Sequence, residues 1–173
     1  MQLATNSFKN RNPKNKKNTH FVHSDFVHPF KGTTNVPEIT VMIALDAFKI
    51  KNGATSYYKR THLFGKKPPR NKRMNQVGIK PTTIELKPGS IVFAYGSSWH
   101  CVGENITGER RWGIQQRYHP WYYKPMFNYE ELKKNKIFKE IKSNKSLLKL
   151  FGFDSIVPKP NEKRIYTLTK PYL

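Results

Sequence analysis

His23-Ser24-Asp25 sets two metal-ligating side chains two positions apart, and Trp99-His100 can supply a third much later in the chain. Alternate residues of a strand project to one face, so His23 and Asp25 can reach one ion without distorting the backbone. Two imidazoles and a carboxylate on one face of a metal leave its other face open. That is the donor set of the non-haem Fe(II) oxygenases. Arg111 follows His100 by eleven residues. A hairpin centred between Asn105 and Ile106 would place it directly opposite His100, with Cβ atoms roughly 5 Å apart. A guanidinium there can take the far carboxylate of a metal-bound diacid in a bidentate pair. Singly, each feature is ordinary: H-x-D recurs by chance, His100 beside Trp99 suits a core histidine, and Arg111 is one of 32 basic residues. Only the combined spacing points to a site.

Strands must carry these residues. Residues 20–27 alternate, with Phe21, His23 and Asp25 on one face. Residues 39–46 form a nearly continuous apolar run rich in β-branched side chains, which predicts a central strand. Further strands are predicted over 2–8, 54–58, 82–86, 90–95 and 111–118, punctuated by turns at Asn52-Gly53 and Lys87-Pro88-Gly89. Segment 9–18 is too polar and basic to bury a core and is predicted to be a mobile loop, and 66–73 is a second Pro/Lys/Arg loop. Tyr129 to Phe151 carries broken helical spacing, and Gly152 is a stop. Seven or eight short strands in 173 residues predict one mainly β domain over 1–173. The fold is a sandwich or barrel with the helical segment 129–152 packed outside.

Composition narrows the function classes. The single cysteine, Cys101, forbids an internal disulfide and suits a reducing cytoplasm. No apolar run approaches the ~18 residues of a membrane span, and the first residues lack the apolar stretch of a secretory signal. Charge is the outlier, with 32 Lys and Arg against 11 Asp and Glu, a net of +21. A field of that sign attracts nucleic acid, anionic lipid or acidic proteins. The basic residues are spread along the chain with no helix-turn-helix, zinc-finger or RNA-binding signature, so a lysine-rich solvated surface is the plainer reading. A nucleic-acid-binding β-barrel, with tyrosines such as Tyr57, Tyr58, Tyr122 and Tyr123 stacking on bases, stays open as a rival.

Six stretches together resemble the phytanoyl-CoA dioxygenase family of Fe(II)/2-oxoglutarate-dependent oxygenases. They are His23-Ser24-Asp25, Val41 to Asp46, Asn52-Gly53-Ala54-Thr55, Pro88 to Phe93, Trp99-His100 and Arg111, with a weaker likeness over Leu147 to Phe153. The resemblance implies a double-stranded β-helix (a jelly roll of the cupin type) with flanking C-terminal helices. It also implies Fe(II) on His23, Asp25 and His100, 2-oxoglutarate as cosubstrate with its C5 carboxylate on Arg111, and O2 as oxidant. The implied reaction is hydroxylation of a small organic substrate with decarboxylation of 2-oxoglutarate to succinate, and an anionic substrate would suit the charge. Asp25 remains a carboxylate, as hydroxylation rather than halogenation requires. The family's loop after Asn52-Gly53-Ala54 is altered to Lys59-Arg60-Thr61-His62. That change keeps open a catalytically weak or dead member acting as a binding module. Strand alternation places Gln115 and Arg117 on the face of Arg111 as candidate substrate contacts, with Arg110 as the fallback anchor and His62 near the entrance.

Overall fold

The computed structural model describes residues 2–11 as backbone, and 21–27, 31–32, 38–120, 123 and 126–153 in full. Positions 12–18 of the predicted loop and His20 lie outside the described residues. Met1–Asn128 and Tyr129–Leu173 form two compact units.

The first unit contains β1 (Gln2–Arg11), β2 (Ile39–Ala44), β3 (Thr55–Tyr57), β4 (Thr82–Thr83), β5 (Ile91–Tyr95), β6 (His100–Val102) and β7 (Arg111–His119). They build two antiparallel sheets, in the orders β1-β7-β2-β5 and β4-β3-β6. The free side of β6 is covered by His23, whose N–H and C=O exchange bonds of 2.9 and 2.8 Å with His100. With that segment counted, the chain passes repeatedly between two facing sheets, which is the double-stranded β-helix, or jelly roll.

The apolar run of β2 sits between β7 and β5, as a central strand should. It ends two residues earlier than its hydrophobicity suggests. The N–H groups of Leu45 and Asp46 both turn to the Trp112 carbonyl at 3.2 Å, and Asp46 Oδ2 accepts from Trp112 N at 2.7 Å. On β5, Val92 and Ala94 turn inward while Ile91, Phe93 and Tyr95 are exposed.

Three local expectations are corrected. β1 continues through Lys9, Asn10 and Arg11, which pair with Gly113, Trp112 and Arg111. Ladder bonds come from the backbone, so a polar sequence does not end a strand that has a partner. The 20–27 strand reduces to the single bridge at His23, because the chain bends at Asp25 and Phe26 N goes to the Gly96 carbonyl at 2.9 Å. The third correction is the predicted hairpin between His100 and Arg111. β6 pairs with β3, and β7 pairs with β1 and β2, so the two residues stand on different sheets. Between them Asn105 bridges to Asn52 and Ile106 N bonds to the Lys51 carbonyl at 2.9 Å. These crossing contacts use the groups that a hairpin would need.

Among the described residues, apolar packing forms two clusters, Val22, Tyr58, Trp99 and Cys101 in one, and Ala44, Phe48 and Ala54 in the other. In the second unit, a 3₁₀ turn (Tyr129–Lys134) precedes α1 (Phe138–Ser143) and α2 (Lys145–Phe151). The Asn144 side chain caps α2 by accepting from Ser146 N and Leu147 N. Gly152 ends it at φ 76°, in the left-handed region that glycine enters freely. No described helix is long and apolar enough to cross a membrane.

Candidate metal centre

Register across the three-stranded sheet brings the histidines together. Thr82 pairs with Tyr57, Tyr57 with His100, and His100 with His23, so all four occupy one row on one face. The two imidazoles lie 4.3 Å apart between centroids. Each turns Nδ1 to a carbonyl two residues back in the chain, His23 to Phe21 at 3.1 Å and His100 to Ser98 at 3.0 Å. A nitrogen facing a carbonyl carries the proton and donates it, which leaves both Nε2 lone pairs for a metal. Metal-binding histidines are commonly oriented by such a partner.

Asp25 is held from the opposite sheet. Thr40 Oγ1 donates to its Oδ2 at 3.0 Å and Gln115 Nε2 does so at 3.4 Å. His100 Nε2 lies 3.8 Å from the same oxygen, and Arg117 Nη1 lies 4.0 Å from Oδ1. Ligand atoms of His23, Asp25 and His100 all fall within 4.8 Å of one another. Small side-chain movements would bring all three to the ~2.1 Å bonds of a divalent ion. His100 is buried and His23 is exposed. The donors therefore fit a metal held on one face.

Electrostatics support that fit. Burial pushes the His100 imidazole below its ordinary range, against the opposing pull of Asp25, which favours the neutral ring that coordination needs. Behind Asp25, Arg117 Nη1 also lies 3.6 Å from Glu38 Oε1. Burial raises the Glu38 carboxyl while Arg117 opposes that rise. Gly96 makes room for this acid, since a Cβ there would stand 2.6 Å from Glu38 Oε1. Tyr57 stacks on His100 at 5.4 Å, and burial with the nearby Asp25 pushes its phenol up to about 12. It is a neutral hydroxyl at physiological pH.

Arg111 is placed differently from expectation. It is buried, donates from Nη2 to the Gly53 carbonyl at 2.8 Å and from Nε to Asn52 at 3.3 Å, and lies 3.7 Å over the Phe48 ring. Alternation along β7 still puts it on the face of Gln115 and Arg117. Those two meet the carboxylate of Asp25. Arg110 is exposed ahead of the strand. His62 lies 4.8 Å from Tyr95 and lines a cavity of about 560 Å³ that also includes Tyr57. Sequence reasoning missed Thr40 and Glu38, and it offered Tyr57 only as a base-stacking candidate. Thr40 carried a signal, as a polar residue inside the apolar run.

The phytanoyl-CoA dioxygenase (PhyH) family matches residues 2–113, and the chain belongs to it. Among characterised relatives, the dioxygenase andF of Emericella variicolor is 29% identical over 56% of this chain and 33% of its own length. The dioxygenase cdmD of Talaromyces verruculosus is 30% identical over 66% of this chain and 38% of its own. The chain thus spans about a third of these relatives. A similar solved structure is the epimerase SnoN in complex with Fe3+, alpha ketoglutarate and a nogalamycin compound. It has a TM-score of 0.57 at 20% identity, over 72% of this chain and 52% of that one. HygX of Streptomyces hygroscopicus, with nickel, 2-oxoglutarate and hygromycin B bound, gives 0.58 at 13% identity, over 72% and 58%. Both likenesses establish the fold.

Proposed function

We propose that this chain carries the metal centre of an Fe(II)- and 2-oxoglutarate-dependent dioxygenase that hydroxylates a small organic molecule and converts 2-oxoglutarate to succinate. The observation that carries the reading is the His23–Asp25–His100 cluster, with both Nδ1 atoms committed to carbonyls and its acid gripped from the facing sheet. Family membership and the likeness to SnoN, which was solved with Fe3+ and alpha ketoglutarate, support it.

Fe(II), when bound, supplies the activation of O2 and the oxidation of a C–H bond that no side chain provides. The three ligands hold the metal. Thr40 and Gln115 fix the Asp25 carboxylate, and Tyr57 packs against His100. Arg111 is the proposed anchor for the C5 carboxylate of 2-oxoglutarate. It shares the inner face of β7 with Gln115 and is kept extended by Phe48 and the 52–53 carbonyls. A reducing, cytoplasmic setting suits the buried free thiol of Cys101.

The test is turnover under air with Fe(II) and 2-oxoglutarate, followed as succinate, for wild type and His100→Ala. Iron-dependent succinate from wild type alone is expected. Iron binding without succinate would favour the inactive binding module, and nucleic-acid binding without iron binding would favour the basic barrel.

A further inference from the structure

β4 and β5 are the edge strands of the two sheets, and a cavity of about 560 Å³ opens between them. That volume falls in the range of small-molecule sites, ~300–1,000 Å³. Ile84, Val92 and Ala94 give it an apolar wall. Tyr57 joins that wall and also stacks on His100, so the cavity touches the metal centre through one shared ring.

The rim has a single sign of charge. Lys59, Arg60 and His62 line the cavity and no lining residue is acidic. Among the described residues, neither Lys59 nor Arg60 has a carboxylate within ion-pair distance. Arg60 holds a left-handed backbone, φ 63° and ψ 4°, where the chain leaves Tyr58 for the 3₁₀ turn Thr61–Phe64. Non-glycine residues seldom adopt that conformation, and it recurs where side chains clamp ligands. A second cavity of about 550 Å³ lacks this bias, since its lining includes Glu85 and Glu104 as well as Lys49 and Lys51.

We propose that the β4–β5 cavity is the substrate pocket, and that it takes a compact apolar or aromatic molecule bearing one anionic group. The rings lie against Tyr57 and Val92, and the anion meets Lys59 and Arg60 at the rim. The substrate role rests on the oxygenase reading, whereas the binding preference stands on the cavity alone.

The test uses two dyes that differ by one sulfonate, 8-anilinonaphthalene-1-sulfonate and N-phenyl-1-naphthylamine. Fluorescence titrations use the full metal-free chain in EDTA at physiological salt. Wild type is expected to bind the sulfonated dye at least about tenfold more tightly, the effect of a charge-assisted contact. Lys59→Gln with Arg60→Gly, glycine being at ease in the left-handed backbone, is expected to erase that preference and leave the neutral dye unchanged. Ala94→Trp is expected to expel both dyes, with circular dichroism confirming the fold. Equal wild-type affinities, a preference that survives the rim variant, or dyes that stay bound to Ala94→Trp would each overturn the proposal. Iron binding is measured separately. Dye discrimination without iron binding would remove the oxygenase and keep the pocket, and iron binding without discrimination would remove only the pocket.

Discussion

The two ends of the inner face of β7 hold an arginine each, and they hold it by opposite means. At one end Arg117 lies between two carboxylates, Asp25 at 4.0 Å and Glu38 at 3.6 Å. At the other, Arg111 rests on the Phe48 ring and on the carbonyls of residues 52 and 53. Gly113 lies between them because a Cβ there would meet Phe48 Cζ at 2.8 Å. Arg117 thus meets two carboxylates, and Arg111 meets a ring and two backbone carbonyls. Arg117 belongs to the support of Asp25, the candidate metal-ligating acid. Arg111 is held in place by the Phe48 ring and the backbone carbonyls of residues 52 and 53. One strand thus serves both halves of the proposed site.

The comparison breaks most visibly if the metal is removed from it. Asp25→Ala is expected to reduce Fe(II) binding to background in equilibrium dialysis, because two imidazoles alone make a poor site. Next in size, Arg111→Met is expected to weaken 2-oxoglutarate binding about 100-fold in calorimetry while iron affinity holds, the worth of a charge-assisted pair. Arg117→Gln should show the reverse split. Iron binding falls roughly 10–100-fold, as for other groups that orient a ligand, and 2-oxoglutarate affinity for the iron-loaded protein stays within error. Identical profiles for the two arginine variants would mean that the ends of β7 are not distinct.

Smaller effects sharpen the charged end. Gly96→Ala pushes a methyl against Glu38 and should cost about 1–3 kcal/mol in urea unfolding, as overpacking does. Glu38 also predicts a pH effect. Burial raises its folded pKa, so the folded state binds this proton more tightly than the unfolded chain does. Stability from that proton is full below the unfolded value near 4.5 and is lost as pH rises through the raised folded value. Glu38→Gln should remove that decline from the stability–pH curve of the metal-free protein. An unchanged curve would show that Glu38 is not the group responsible.

Much of the site was legible because its signals are local. His23 and Asp25 two residues apart, and His100 after Trp99, stood out by type and spacing, and the ligand atoms fall within 4.8 Å, although a bend rather than strand alternation carries Asp25 there. The central strand was legible from its apolar run. Arg111 was legible as a residue but not as a placement. Its hairpin with His100 fails because Asn105 and Ile106 bond to residues 51–52 instead, a long-range choice that spacing does not encode. Glu38 was invisible for a similar reason. Its role arises from Arg117 and Gly96, neither near it in sequence. Lys9 to Arg11 read as loop because polar side chains suggested it, whereas their strand is decided by the backbone of β7.

The central claim is that three residues from one row and one bend hold Fe(II), and that a diacid then joins it. Anaerobic titration of Fe(II) into the wild-type chain and His100→Ala, without and with 2-oxoglutarate, tests it most directly. One iron per wild-type chain is predicted, with a new visible charge-transfer band on adding 2-oxoglutarate and neither signal in the variant. Iron binding of equal strength in both proteins, or no band in an iron-loaded wild type, would contradict the account.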